Sequence, residues 1–319
     1  MSRYDVTTTG EAMIRFSVPP GTRLEVADSL DMRPGGAEAN LTVALARMGR
    51  RAAWMGALPN SPLGRWLANH LRVAGAHLDG IYWSDRHRMG TYYVEMSVPP
   101  RATQVIYDRA DSAAANMTPD QVHWDLLLDT RLLHLTGITP PLSAGCAEIV
   151  TQAVARAKAA GIPVSFDVNY RQKLWSEQAA AHFIIPLVQG IDLFFCGRSD
   201  AKRVMGVEGD PESSVRRLWE MTHAKLVIMS LADQGVVVFD GDTLYHEPAL
   251  PVEIIDRPGA GDALAAGIIH GWLDGDLRLG MKMGVVMAAL CLSQHGDMLI
   301  TTPAEVASLM GGAGAKIVR

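Results

Sequence analysis

Short apolar runs alternate with segments of helical periodicity along most of this chain, and that rhythm constrains its fold more than any other feature. Strand-like runs at residues 6–10, 52–58, 132–135, 163–166 and 225–229 are separated by helix-like segments such as 41–48, 62–74 and 144–160. Apolar strands that lead into helices pair in parallel, with the helices covering the faces of the sheet. An α/β fold with a mostly parallel sheet is therefore expected. The chain's 319 residues, 48% of them hydrophobic, can bury one large core or two smaller ones.

The rhythm breaks between residues 81 and 108. There 90–96 and 103–107 alternate with period two around Pro99-Pro100-Arg101, the pattern of a β-hairpin. Such an insertion serves as a lid or as a plain edge hairpin. Tyr92, Tyr107 and Arg109 either face a ligand or pack its surface.

Charge and cysteine usage exclude several classes. Lys and Arg number 29 against 34 Asp and Glu, with no long run of either sign, so a nucleic-acid partner is not expected. Arg47, Arg50 and Arg51 form the densest basic patch and read as a solvated helix end. The three cysteines are far apart and lack metal-ligand spacing, which fits a reduced cytoplasm. No apolar stretch approaches the ~20 residues of a membrane span, and the first ten residues have no signal-peptide core. The ten histidines form no zinc-type pair.

Four polar clusters stand at predicted element junctions. Asp256-Arg257-Pro258-Gly259-Ala260-Gly261-Asp262 follows an apolar run at 252–255, read as a strand, and opens a helix over 263–273. Glycines there let the backbone approach a ligand closely, and the unpaired N–H groups of the helix start suit an anion. Asp262 is either a base or an acid that complements the helix dipole. A second glycine-rich helix entry, Gly35-Gly36-Ala37-Glu38-Ala39-Asn40, puts Asn40 in a first turn, where its amide is either a polyhydroxyl contact or simply exposed. The third cluster, Asp167 to Trp175, ends a strand, where ligands of open parallel sheets gather. Its Arg171 has a planar fork suited to a carboxylate. The fourth is Ser230-Leu231-Ala232-Asp233-Gln234-Gly235, followed by a short hairpin over 236–246. Helix 279–292 and a flexible Gly311-Gly312-Ala313-Gly314 tail complete the chain.

Through the glycine entry at 35–40 and the turn at 256–262, the chain resembles the ribokinase-like (PfkB) sugar kinases over essentially its whole length. Within them it is most similar to the 2-keto-3-deoxygluconate kinases, through Gly10-Glu11-Ala12-Met13, Tyr107-Asp108-Arg109-Ala110, the 167–175 cluster and Arg257. The resemblance implies a three-layer αβα sandwich in one domain over 1–319, with a small β-lid built from segments near 12–34 and 88–108. It implies transfer of the ATP γ-phosphate to the C6 hydroxyl of the keto-deoxy acid, with Mg²⁺ and K⁺ as cations. Asp262 would be the base, and Gly259, Ala260 and Gly261 the anion hole. Gly35, Gly36, Asn40, Tyr92, Tyr107, Arg109, Asn169 and Arg171 would hold the sugar acid, with Arg171 or Arg109 clamping its carboxylate. Ser230 and Gly235, with Gly259 and Gly261, would meet the nucleotide; Asp200 would serve Mg²⁺ and Asp256 a monovalent cation.

Two positions depart from the family pattern. Gly197-Arg198-Ser199-Asp200 stands where many relatives have Asn-x-x-Glu, and Ala232 replaces the middle glycine of the nucleotide loop. A relative acting on neutral fructose or ribose, and a sugar-binding protein without catalysis, are the alternative readings. The open edges of lid strands lead us to expect a homodimer, and the cysteine usage a cytoplasmic one.

Overall fold

Apolar runs become strands here because their side chains must fill both faces of a covered sheet. The computed structural model describes residues 2–98 and 100–312. β1 (Val6–Thr9) is buried throughout. It is followed by β2 (Met13–Val18), β3 (Asp31–Gly35), α1 (Ala37–Arg47), β4 (Ala52–Met55), β5 (Ala57–Pro59), α2 (Pro62–Val73), β6 (Tyr82–Ser84), β7 (Thr91–Glu95) and β8 (Gln104–Asp108). Then come α3 (Trp124–Leu127), β9 (Leu133–Thr136), α4 (Ala144–Ala159), β10 (Val164–Asp167), α5 (Glu177–Leu187), β11 (Leu193–Phe195), α6 (Arg198–Arg203), α7 (Pro211–Thr222) and β12 (Leu226–Ser230). The last elements are β13 (Val236–Phe239), β14 (Leu244–Glu247), α8 (Ala260–Leu273), α9 (Leu277–Leu292) and α10 (Pro303–Met310).

The main sheet has the order β14-β13-β12-β11-β10-β9-β1-β4. Pairing is parallel from β12 to β4 and antiparallel at β12-β13 and β13-β14. Side-chain alternation divides the core in two. On β11, Phe194 joins Ile149, Ile184 and Leu218 on one face, whereas Leu193 and Phe195 join Leu41, Ile268 and Met287 on the other. Each such fully buried side chain contributes about 1.5–3 kcal/mol. The result is a helix–sheet–helix sandwich, as expected. The chain builds outward from β1 in both directions, so the order of strands reverses between β1 and β9, and a crevice opens there at the carboxyl ends.

A second sheet, β3-β2-β7-β8, gathers the extended segments near 12–34 and 88–108. β7 and β8 pair antiparallel as the expected hairpin, and β2 joins β7 in parallel. Pro99, in the expected connection, lies outside the described residues. Pro34 is accommodated because β3 is an edge strand.

Several expectations are corrected. Residues 252–255 are not a strand: Pro248 and Pro251 remove ladder donors, β14 ends the sheet, and the segment instead docks through Ile255 N–H on Leu292 C=O at 2.8 Å. The run at 52–58 is split at Gly56, whose α-carbon leaves no room for a side chain beside Gly10 C=O; β4 stays in the main sheet and β5 pairs with β6. The arginines at 47–51 are not a merely solvated end. Arg50 donates to His270 C=O at 2.8 Å and to Asp274 at 2.5 Å, and Arg47 to Thr301 C=O at 2.9 Å, so they fasten the end of α1 to the end of α8 and the strap before α10. α10 was not anticipated. Residues 313 and 314 of the glycine tail lie outside the described residues. Among the described residues, no helix is long and apolar enough to cross a membrane, and the three cysteines are buried and free.

α8 and α9 cross through glycines. A Cβ on Gly267 would lie 2.4 Å from Gly284 N, and one on Gly271 2.4 Å from Gly280 Cα. Gly267→Ala is expected to destabilise the protein by about 1–3 kcal/mol through forced helix separation; an unchanged urea midpoint would contradict this packing.

Candidate active site

Two glycine-capped helices point their positive ends into the crevice. α1 starts after Gly36, at φ 140°, where a Cβ would strike Glu11 C=O at 2.4 Å. α8 starts after Gly259, at φ 87°, where a Cβ would fall 1.8 Å from Asp297 C=O. Only glycine fits either place. The position of a Cβ on Gly261 faces open space, so the N–H groups at 259–261 border a free cradle.

Asp262 sits in the first turn of α8, and Asn40, in the first turn of α1, donates to its Oδ2 at 2.8 Å. Burial pushes the Asp262 carboxyl up to about 7; Asn40 and Arg171 pull it down, while Asp297 and Glu38 push it further up. An acid half ionised near neutrality is matched to accepting a hydroxyl proton. Asn40 Oδ1 is buried with no partner, an acceptor left over for a ligand hydroxyl.

Both groups line a cleft of about 210 Å³ with Gly36, Tyr92, Tyr107, Arg109, Arg171, Pro258 and Gly259. Eight expected residues therefore converge, although they come from positions 36 to 262. Two of them are already committed within the protein, and a third is not. Arg109 is buried against Glu11, donating from Nε to Oε2 at 2.7 Å, so its charge is already paired, while its Nη2 has no hydrogen-bond partner. The Tyr92 hydroxyl donates to Asp297 Oδ2 at 2.6 Å, leaving only its ring, stacked on Tyr107, to face a ligand. Arg171 is exposed, with one bond to Tyr170 C=O at 3.2 Å, and forms no ion pair among the described residues.

Other expected residues lie outside the cleft lining. The Gly35 Cα abuts the Tyr92 hydroxyl, where a Cβ would lie 2.1 Å away. Asn169 takes φ 39° and bonds its N–H to Asp167 Oδ1 at 3.1 Å, a turn that presents Arg171. Lys173, further along this loop, donates to Val105 C=O of β8 at 2.7 Å and lies 5.9 Å over the Tyr107 ring. Asp256, the expected monovalent-cation ligand, is paired with Arg15, whose Nη2 is 2.7 Å from its Oδ2. Asp200 accepts from Tyr170 N–H at 3.0 Å, and burial pushes its carboxyl up. Among the described residues, no group of three or more His, Cys, Asp or Glu forms a ready metal cage.

Sequence reasoning gave no role to four acids that the fold brings in. Glu11 neutralises Arg109, and Asp297 supports Tyr92 and Arg15. Glu38 is fully buried on the hydroxyls of Thr136 and Thr139, its carboxyl pushed up by burial. Asp167 is pushed up to about 8, first by burial and then by Asp262 and Asp200.

Ser230 and Gly235 bracket a tight turn beside the carboxyl end of β12. A Cβ on Gly235, at φ 96°, would lie 2.1 Å from Glu247 C=O. Gly197 leaves the Ser230 hydroxyl room, since a Cβ there would stand 3.3 Å from Oγ. Ala232 takes a left-handed φ of 54° that glycine adopts without strain.

A mostly parallel α/β sheet with a smaller sheet at its crevice, and an acid beside a glycine-built anion cradle, form an arrangement suited to moving an anionic group onto a hydroxyl. The model of the pfkB family carbohydrate kinases matches residues 4–304, and the chain belongs to this family. It is 35% identical over 316 residues to a 2-dehydro-3-deoxygalactonokinase of Haloferax volcanii, covering 99% of each chain. A 2-dehydro-3-deoxygluconokinase of Thermotoga maritima superposes with a TM-score of 0.91 at 32% identity, covering 97% of this chain and 100% of that one. A putative ribokinase II of E. coli, solved with ATP and Mg²⁺, shares the fold at a TM-score of 0.86 and 21% identity, covering 97% of this chain and 99% of that one.

Two outcomes follow. Because folded Asp262 binds its proton more tightly than the unfolded chain, its stabilising contribution is complete below about pH 4 and is lost as pH rises through about 7. Asp262→Asn should therefore gain stability relative to wild type across that window, by about 1–2 kcal/mol once the cleft-facing side's solvation is allowed for. Denaturation at pH 4.5 and 8 checks it, and an equal difference at both would contradict the buried acid. Ala232→Gly should raise stability by about 0.5–1 kcal/mol, strain relief outweighing added chain entropy; a lower denaturation midpoint would show that the turn is unstrained.

Proposed function

We propose that this carbohydrate kinase transfers the γ-phosphate of ATP to the C6 hydroxyl of 2-keto-3-deoxygluconate. The observation that carries this reading is Arg171: the cleft holds two arginines, Glu11 neutralises one, and the other stands uncommitted across from Asp262. A neutral sugar gives such a charge no partner, whereas a sugar acid's carboxylate accepts its fork in two parallel bonds. The Tyr92–Tyr107 stack and Ile138 offer apolar surface to the carbon chain. The C4 epimer, 2-keto-3-deoxygalactonate, is a second reading, favoured by the Haloferax volcanii relative.

In this reading Arg171 and Asn40 Oδ1 hold the acceptor so that its terminal hydroxyl meets Asp262. Asn40 restrains Oδ2 of Asp262, so Oδ1 takes the hydroxyl proton as the oxygen attacks the γ-phosphorus and the bond to ADP breaks. The N–H groups of Gly259, Ala260 and Gly261 stabilise the charge on the moving phosphoryl group. Ser230 and Gly235 shape the side where ATP enters. Asp167 and Asp200 suit Mg²⁺, which typically takes one or two carboxylates plus phosphate oxygens and waters; the Asp167 carboxyl, raised first by burial and then by Asp262 and Asp200, would be ionised beside a dication. Bound Mg²⁺ supplies neutralisation of phosphate charge.

Arg171→Ala is expected to raise KM for the sugar acid about 10–100-fold while kcat changes little, as loss of a charge-assisted pair costs about 1.5–3 kcal/mol. Asp262→Asn should lower kcat by about 10²–10⁴ with acceptor binding retained. A coupled ADP-release assay against both keto-deoxy acid epimers, fructose and ribose decides the acceptor. Turnover of neutral sugars alone would overturn the acid reading, and preference for the galactonate epimer would select the second.

A further inference from the structure

We infer that Arg15 supplies, as part of the fold, the positive charge that a monovalent cation beside Asp256 would supply, and that phosphoryl transfer by this protein is independent of K⁺. Arg15 lies on β2 of the small sheet, and its side chain is 1% exposed. Its guanidinium spans two acids from distant loops: Nη2 is 2.7 Å from Asp256 Oδ2, and Nη1 donates to Asp297 Oδ1 at 2.6 Å. The other carboxylate oxygens also face donors. Asp256 Oδ1 accepts from Arg257 N–H at 3.0 Å, Asp256 Oδ2 also from Gly296 N–H at 3.0 Å, and Asp297 Oδ2 from the Tyr92 hydroxyl at 2.6 Å. All four carboxylate oxygens thus face a donor, and a dehydrated metal ion, which needs several oxygen ligands, would meet a buried guanidinium at the same place. The buried guanidinium takes the space beside both carboxylates, so an ion there would have to give up its water without gaining a set of free oxygen ligands. The residues present do not fit K⁺.

The arginine also does what an ion cannot. Asp256 opens the anion-hole turn, and the turn's Gly259 rests on the Asp297 peptide so closely that a Cβ would be 1.8 Å from its carbonyl oxygen. Arg15 and Tyr92, both from the small sheet, fasten these two supports. Arg15 is therefore a positioning residue: it acts on the phosphoryl group only through the turn it holds, and it ties the sheet over the acceptor to that turn. Removing one member of a buried ion pair leaves the other charges uncompensated, so its loss disturbs the turn directly.

The inference rests on phosphoryl transfer at this turn and not on the identity of the acceptor, so any sugar that supports turnover serves the test. Purified protein is assayed with Mg-ATP in KCl, NaCl or choline chloride at equal ionic strength, and thermal melting and ATP affinity are measured in the same three salts without acceptor. The expected result is kcat, ATP affinity and melting temperature alike in all three, rates agreeing within about twofold. Activation by K⁺ of fivefold or more over choline, or K⁺-specific tightening of ATP binding or rise in melting temperature, would overturn it. Arg15→Gln should lower kcat at least tenfold and recover part of it with millimolar guanidinium, while Arg15→Lys keeps more activity than Arg15→Gln. A folded Arg15→Gln protein with wild-type kcat would also overturn the inference. Should the variant fail to fold, the salt series on the wild-type protein still decides. Absence of turnover with every sugar would count against the proposed function, leaving ATP affinity and melting to judge the role of Arg15.

Discussion

The site depends on holding an ionisable carboxyl at the start of a helix without letting it become either an ordinary surface acid or a permanently neutral one. Asp262 meets that constraint through opposed effects. Burial raises its proton affinity; the Asn40 amide and the Arg171 charge lower it again. Neither partner is local. Asn40 reaches it because α1 and α8 lie side by side behind β1 and both begin at the crevice, and Arg171 reaches it because β10 ends on the other side of the strand reversal. The large sheet is thus the frame that brings a helix start, an amide and a cation to one acid.

Much of this was legible in the sequence. Apolar rhythm is a direct record of which residues must leave water, so the parallel sheet, its flanking helices and the β7-β8 hairpin could be read from it. The glycines at 36 and 259 were equally legible, because only a residue without a Cβ survives those contacts. The segment at 252–255 shows the limit: its apolar residues look like a strand, yet Ile254 and Ile255 are about two-fifths exposed and the prolines around them leave no ladder to join.

The partners of charged residues were not legible. Arg109 looked like a ligand clamp until the fold put Glu11 against it, and Asp256 looked like a cation ligand until the fold put Arg15 against it. A side chain's type states what it can bind, while sequence spacing says nothing about which opposite charge arrives from 98 or 241 positions away. Asp297 is the clearest case. It lies in a loop without a motif, and still it receives Arg15 and Tyr92 and carries the peptide on which Gly259 rests. The resemblance to a family supplied residue roles, and the pairing of charges in this particular chain redistributed them.

The bond from Lys173 to the Val105 carbonyl has a thermodynamic corollary. The same short loop carries Arg171, so the position of β8 and the position of the Arg171 fork are not independent variables. If occupancy of the cleft favours one placement of the small sheet, then whatever favours that placement must strengthen acceptor binding by the same factor. Affinity for the acceptor is then a property of the sheet's conformational equilibrium as much as of the contacts themselves, and a substitution at Lys173, which touches no expected ligand group, changes it by altering the fraction of molecules already arranged to bind.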